Sequence, residues 1–430
     1  MNDAHIYCSD ALRRLGADKF QCVLTRKKQV ELNLEGTEMS LMRSTQDVTL
    51  SLMAIKDLRK GEITVNILDQ KSLDEAMSSL MELCATSAQD DAYDISPPQP
   101  KQHFDIGPSE PDVDRMYALL ARYADHTTAR FPKVRLAETI FAHALTERHF
   151  TNSTGVDLSS RKGVYTLTSL FSAKDGGKTS SFNYSQVALA DLEQELLQCS
   201  SFEVLLGQAA EQLEARALPG KFVGDVIITP DCLGGLLSFY VSTFLGDRAL
   251  IAGTSLFKGK LGQAVAGEQL TLGARPRSPQ IADGYAITSD GFVAEDVTLI
   301  EHGVLKSFML SLYGANKTKR ERAKNSGDCF VVEAGDKTYA QLVAGVERGL
   351  LLARYSGGYP SANGDFSGVA KNSYYIENGK VLYPVNETMI AGNLAELFTQ
   401  IKGISAERVN FGGALLPYVA ATGVTISGKQ

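Results

Sequence analysis

The side chains best able to do chemistry are few. The chain has six histidines, and no H-E-x-x-H motif joins any of them. The densest cluster is His143, Glu147 and His149 in FAHALTERHF. Imidazole and carboxylate are zinc donors. In a strand these odd-numbered positions share one side, so a displaced metal site is one reading. The other is the polar face of a strand whose opposite side carries Ile140, Ala142, Ala144 and Phe150, and spacing alone favours it.

Other signals are weaker. The segment from Gly253 to Gly259-Lys260 looks like a phosphate loop, but it has one residue too many between its glycines. Leu261 also stands where a Ser or Thr would hold magnesium. The run from Gly357 to Gly368 lacks the strand–G-x-G-x-x-G–helix context of a dinucleotide site and reads as a tight loop between sheet elements. No G-x-S-x-G elbow occurs. Cys232 sits at an expected helix start, where a thiolate is favoured, yet beside Leu233 it reads as a buried, inert thiol. The basic run Lys317 to Lys324 can meet an acidic partner or simply form a solvated helix face.

The elements that must position these residues follow from period and punctuation. Asp47 to Ile55 and Glu62 to Leu68 alternate as a hairpin turning at Lys60-Gly61. Ser72 with Glu75 forms a capping box before a helix with Leu73, Met77, Leu80, Met81 and Cys84 on one face. Five of the 13 prolines lie between Pro97 and Pro111, predicting an extended linker near residues 95–111. A helix restarts at Pro111. Lys133 to Phe150 and Gly163 to Phe171 pair as strands across the Asn152–Gly155 turn, and Lys174 to Lys178 turns again. The stretch from Leu189 to Ala215 is predicted helical throughout. Phe222 to Thr229 is a strand, and Asp231 caps a helix with Leu233, Leu236, Leu237, Tyr240 and Phe244 facing the core. Two segments, Leu299 to Leu305 and Tyr375 to Val381, repeat a strand–x-Gly–strand pattern, with Asn378-Gly379 a type I′ signal.

These elements predict an α+β fold: a mixed α/β N-terminal region over 1–218, then a mostly β region over 219–430 built of hairpins with a few helices, divided at Pro219-Gly220. A length of 430 residues suits two or more domains. A net charge of −7 without a long basic run argues against direct nucleic-acid binding. No apolar run spans a membrane and the first residues lack a signal-peptide core. Six single cysteines without a C-x-x-C pair point to reduced thiols and a cytoplasmic protein.

The second half resembles the TldD/PmbA family, whose members are also labelled modulators of DNA gyrase. The residues that carry the resemblance are Gly303 to Lys317, Val332 to Gly358 and Gly364 to Phe398. Within them lie Gly364-Asp365-Phe366-Ser367, the Ile376–Gly379 hairpin and Ile390-Ala391-Gly392-Asn393-Leu394. The resemblance implies two branches. One bears an HExxxH zinc motif and a later cysteine and is a metalloprotease subunit. The TldE/PmbA-like branch lacks those ligands and pairs with the first in a chamber that degrades or processes unfolded peptides. Anchored on Gly253-Thr254-Ser255, the two histidine positions fall on Ser238 and Thr243, and the glutamate position falls on Phe239. The cysteine position falls near Val409 to Phe411, and no cysteine follows Cys329.

The resemblance therefore implies a non-catalytic subunit with no cofactor of its own, beside a zinc-bearing TldD-like partner. Unfolded peptide can bind such a subunit by adding to a sheet edge. Asp365, Phe366, Ser367, Asn378 and Gly379 are expected to be structurally important loop positions. Two rivals stand beside this reading: a homodimer that holds peptides or proteins without cleavage, and a metallopeptidase using His143, Glu147 and His149. The gyrase label has no support in these residues.

Overall fold

The computed structural model describes residues 4–218, 220–386 and 388–428. Pro219 of the expected boundary lies outside them. The chain begins α1 (Ala4–Arg14), β1 (Lys19–Glu35), β2 (Glu38–Lys56), β3 (Arg59–Val65) and α2 (Gln70–Thr86). It continues β4 (Gln102–Ile106), α3 (Val113–Arg130), β5 (Val134–Asn152), β6 (Asp157–Asp175), β7 (Lys178–Thr179), β8 (Asn183–Leu189) and α4 (Phe202–Glu211). The strands form an eight-stranded sheet of order β3-β2-β1-β5-β6-β4, with β7 and β8 also on β6.

Four of these strands run 17 to 19 residues, about three times the usual length. Strand pairing shows which residues share a face. Phe20, Leu24, Leu50 and Leu52 lie under α1 and α2, while Leu32, Leu34, Phe141 and Leu167 lie under α3 and α4. Phe150 projects from the opposite face, and Ala286 and Ile287 from the second half cover it. Gly291 also meets Phe150: with φ +81°, a Cβ there would lie 2.1 Å from the ring. Only glycine fits.

The second sheet has 14 strands. Its elements begin β9 (Arg216–Ala217), β10 (Lys221–Ile228), α5 (Pro230–Phe244), α6 (Asp247–Ile251), β11 (Leu272–Ala274), β12 (Val297–Glu301), β13 (Val304–Leu305), α7 (Leu312–Thr318) and β14 (Phe330–Val332). Then come α8 (Tyr339–Ala344), β15 (Arg348–Leu352), β16 (Arg354–Gly357), β17 (Asp365–Lys371), β18 (Tyr374–Glu377), β19 (Lys380–Asn386), β20 (Met389–Asn393), α9 (Leu394–Thr399), β21 (Ile401–Asn410) and β22 (Leu415–Ser427). The path runs β13-β12-β11-β14-β22-β10-β15-β18-β19-β9, with β16, β17, β20 and β21 attached. Its core gathers around α5, whose Leu233, Leu236, Leu237, Tyr240 and Phe244 are all buried as their spacing predicts. The architecture is α+β, two sheets with a few helices. Among the described residues no helix is long and apolar enough to cross a membrane.

Several local expectations are corrected. The first hairpin turns at Asp57-Leu58, both at positive φ, instead of Lys60-Gly61. Asp69 caps α2 by accepting from the Ser72 N–H, so Ser72 is inside the helix. The proline-rich linker contains a strand: β4 pairs in parallel with β6. The predicted helix over 189–215 is broken at Ser200 (φ +52°) into short 3-10 turns and α4, after the unexpected strand β8. Thr229 is the N-cap of α5, and Asp231 lies in its first turn. The two x-Gly hairpins do turn at positive φ, at His302-Gly303 and Asn378-Gly379.

The basic run is partly solvated, with Lys319 and Arg320 exposed, and partly tied down. Lys317 pairs with Asp90 at 2.8 Å, Arg322 with Asp290 at 2.7 Å, and Lys324 with Glu295 at 3.6 Å. Tyr313 stacks on Tyr93 at 5.2 Å and donates to Asp90. Arg148 donates to the Ile287 carbonyl from the other side. Lys317–Asp90, Tyr313–Tyr93 and Arg148–Ile287 join the two halves, whereas Arg322–Asp290 and Lys324–Glu295 lie within the second.

Candidate functional site

The α5 helix has two unlike faces. The inner one is the core stripe. The outer one presents Ser238, exposed, with Phe239 and Thr243 half-buried. Phe239 is covered by aromatic rings: Tyr355 edge-on at 6.3 Å and Tyr359 at 5.2 Å. Tyr359 is itself 87% exposed, so it forms a thin roof held by the loop between β16 and β17. Phe366 meets Tyr355 at 5.7 Å from below.

That loop is tied down by its own polar side chains. Asn393 caps α9 through its Oδ1, accepting from Ala395 and Glu396. Its Nδ2 donates to Asp365 and to the Asn363 carbonyl, both at 2.8 Å. Hydrogen bonds from Asn393 and then Asn363 hold the Asp365 carboxyl below the ordinary carboxylate range. Gly364 has φ +92°, and a Cβ there would strike Phe244 at 2.6 Å. Ser367 accepts the Tyr355 hydroxyl through its carbonyl at 3.0 Å. So Phe366 and Ser367 meet Tyr355, the ring beside Phe239, while Asp365 ties the loop to Asn363 and Asn393. Asn378 and Gly379 do not join them; their turn docks on Val346 and Glu347, whose carbonyls accept both N–H groups.

At the start of α5, Asp231 opens on a pocket of about 190 Å³ lined by Tyr184, Ser185, Arg354, Phe411 and Leu416. This is smaller than a typical ligand cavity and is side-chain sized. Burial pushes the Asp231 carboxyl above its usual range, against the pull of a Ser201 hydrogen bond and the Arg354 charge. Arg354 stacks on Tyr184 at 3.7 Å and donates to Asn183 and to the Tyr184 carbonyl. Burial pushes the Cys232 thiol up to about 12, which leaves it a protonated, unreactive core residue. Asp231, Arg354, Tyr355 and Tyr359 were not read as site residues in the sequence. Arg354 and its partner Asn183 are 171 residues apart, so no local pattern could join them.

The histidine cluster is dispersed. His143, Glu147 and His149 extend over roughly 20 Å of one strand at ~3.3 Å per residue, too far to converge on one ion. His143 Nε2 bonds the Pro108 carbonyl at 2.8 Å, Glu147 faces Arg161, and His149 bonds Asp157 at 2.8 Å. Among the described residues no three His, Cys, Asp or Glu side chains are grouped to hold a metal. The outer face of α5 fits zinc no better, because serine, threonine and phenylalanine supply no workable donor set.

Comparison with known proteins places this architecture. Residues 219–428 match the family model described as PmbA/TldA metallopeptidase C-terminal domain. A metalloprotease of Methanothermobacter thermautotrophicus is 26% identical over 232 residues, and the match spans half of this chain and half of that protein. A metalloprotease PmbA homolog of Haemophilus influenzae is 20% identical over 406 residues, 90% of this chain and 87% of that one. The crystal structure of TldE from Thermococcus kodakarensis superposes with a TM-score of 0.81 at 20% identity, covering 99% of this chain and 100% of that one. That likeness is one of fold.

Proposed function

Since the chain belongs to the TldD/PmbA family, we propose that it is a non-catalytic subunit of a two-component zinc metalloprotease that degrades or processes unfolded peptides. One observation carries this reading. Where the resemblance places zinc ligands and a general base, α5 presents Ser238, Thr243 and a half-buried Phe239 packed against Tyr355 and Tyr359. Without donors no water is activated, and without a carboxylate no base takes its proton. The helix instead serves as a wall. Its inner stripe anchors the sheet, and its outer face offers apolar and small polar surface toward a zinc-bearing, TldD-like partner.

Elemental analysis after dialysis without chelator, joined to a peptide assay, tests the reading. Expected are well under one equivalent of zinc and no hydrolysis of an unfolded peptide by the chain alone. Hydrolysis should appear when an HExxxH-bearing paralogue is added. Chelator-sensitive cleavage by the isolated chain would overturn it.

A further inference from the structure

The pocket at the start of α5 is built from both halves of the chain. Tyr184 comes from β8, Asp231 and Gly234 from α5, Arg354 from β16, and Phe411 and Leu416 from the turn into β22. Opposite charges share this space without pairing. Arg354 donates from Nε to Asn183 and from Nη2 to the Tyr184 carbonyl, not to Asp231. Among the described residues no hydrogen bond uses its Nη1. A carboxylate in a mainly apolar setting costs stability unless a cation joins it, and burial is the largest influence on Asp231. The remaining walls are the Tyr184 and Phe411 rings and the Leu416 side chain. A Cβ at Gly234 would come within 3.3 Å of Leu416, so glycine leaves that space unfilled.

We propose that this pocket holds the first residue of a peptide, with its α-ammonium on Asp231, its first carbonyl on Arg354 Nη1 and an apolar side chain against Phe411 and Leu416. The chemistry recognised is an ammonium one carbon from a carbonyl, with an apolar branch. An α-amine carries its proton at pH 7, since its ordinary value is about 7.7–8.0. The arriving ammonium gives Asp231 a counter-charge that favours its ionised form. A free amino acid bears the same groups, but a carboxylate is taken best by two guanidinium nitrogens side by side, and Arg354 has one left. A volume of about 190 Å³ suits one residue. The chain that follows also has a path. Gly235 and Ser238 lie one and two turns along α5 from Asp231, both exposed. Neither carries a bulky side chain to obstruct a backbone running toward the Phe239 face. The inference deepens the proposed function, from which it takes a peptide as the ligand.

Calorimetric titration of the full chain tests it. The probes are the peptide Leu-Ala-Ala-Ala amide, its N-acetylated form and free leucine. Saturable binding of the free-amine peptide is expected. Acetylation removes the charge and should weaken binding about tenfold or more, as should Asp231→Asn. Asparagine keeps the shape, and a thermal melt at pH 7 separates lost recognition from lost folding. Free leucine should bind more weakly than the peptide. Equal binding of the acetylated peptide would overturn the proposal. So would full binding by a folded Asp231→Asn chain, or no binding of the free-amine peptide at millimolar concentration. Free leucine binding as tightly as the peptide would overturn the peptide assignment and leave an amino-acid site. If Asp231→Asn misfolds, the acetylated probe decides on the wild-type chain. No cleavage enters the measurement, so a failure here leaves the subunit reading standing, and cleavage by the isolated chain would overturn that reading without touching this pocket.

Discussion

The two sheets solve the same problem differently. The first uses a few very long strands joined by tight turns, so most of its pairing is between neighbours in sequence. The second uses many short strands, and β22 alone pairs with β10, β14, β20 and β21. Long local hairpins leave edges, and the first sheet has the open β2 edge. Short nonlocal strands leave close loops, and the second sheet has the loop that roofs Phe239. Unpaired strand backbone and close placement of loop side chains thus reside in different halves.

The sharpest way to break this contrast is to attack α5 on its two faces. Phe244→Ala, in the fully buried stripe with Tyr240 and Phe257 against it, should cost ~3–5 kcal/mol by chemical denaturation. A loss near 1 kcal/mol would mean the helix does not anchor the second sheet.

A buried ion pair within the second half comes next. Asp290 and Arg322 are both largely buried. Arg322→Ala should cost about 3 kcal/mol by leaving an unpaired buried charge. The pair also sets a pH limb. Burial pushes the Asp290 carboxyl up, but Arg322's hydrogen bonds and charge outweigh it and hold it below its ordinary value. Its stabilisation is therefore present above the unfolded carboxylate value, and it is lost as pH falls below about 4 toward the lower folded value. Acid titration of the thermal midpoint should be steeper for wild type than for Arg322→Ala.

Gly291→Ala should cost about 2–3 kcal/mol, since the methyl would overlap the Phe150 ring. Melting near the wild-type midpoint would show that this contact yields. Asp231→Asn is a smaller, opposite case. Its raised value means that ionisation opposes folding, so stability is lost as pH rises through the folded value. The variant should melt higher than wild type at pH 7 and equally at pH 3. Least of all, Tyr359→Ser should change stability by under about 0.5 kcal/mol, because the ring is almost wholly exposed. A larger loss would make the roof part of the core.

Much of the fold was legible where one period governs one element. The α5 stripe, the β5–β6 hairpin and the two x-Gly turns follow from spacing and turn chemistry. The helix expected over 189–215 failed because Ser200 takes a left-handed backbone and β8 joins β6, a tertiary choice that outweighs local propensity. The linker reading failed likewise: PPQPKQHFDI is extended as its prolines require, but β6 offers it an edge. At the candidate site, Gly364 to Ser367 stood out in the sequence, while Tyr355 and Tyr359 gained meaning only once Phe239 lay beneath them.

By itself the sequence determined the α+β class, the buried face of α5, and the absence of zinc donors at Ser238, Phe239 and Thr243, because residue type and period are local properties. Only the tertiary structure decided that His143, Glu147 and His149 take separate partners, that Lys317 crosses to Asp90 while Arg322 pairs with Asp290, and that part of the β2 edge has no described strand beside it. Those outcomes depend on which distant strand lies alongside, and no window of neighbouring residues encodes that.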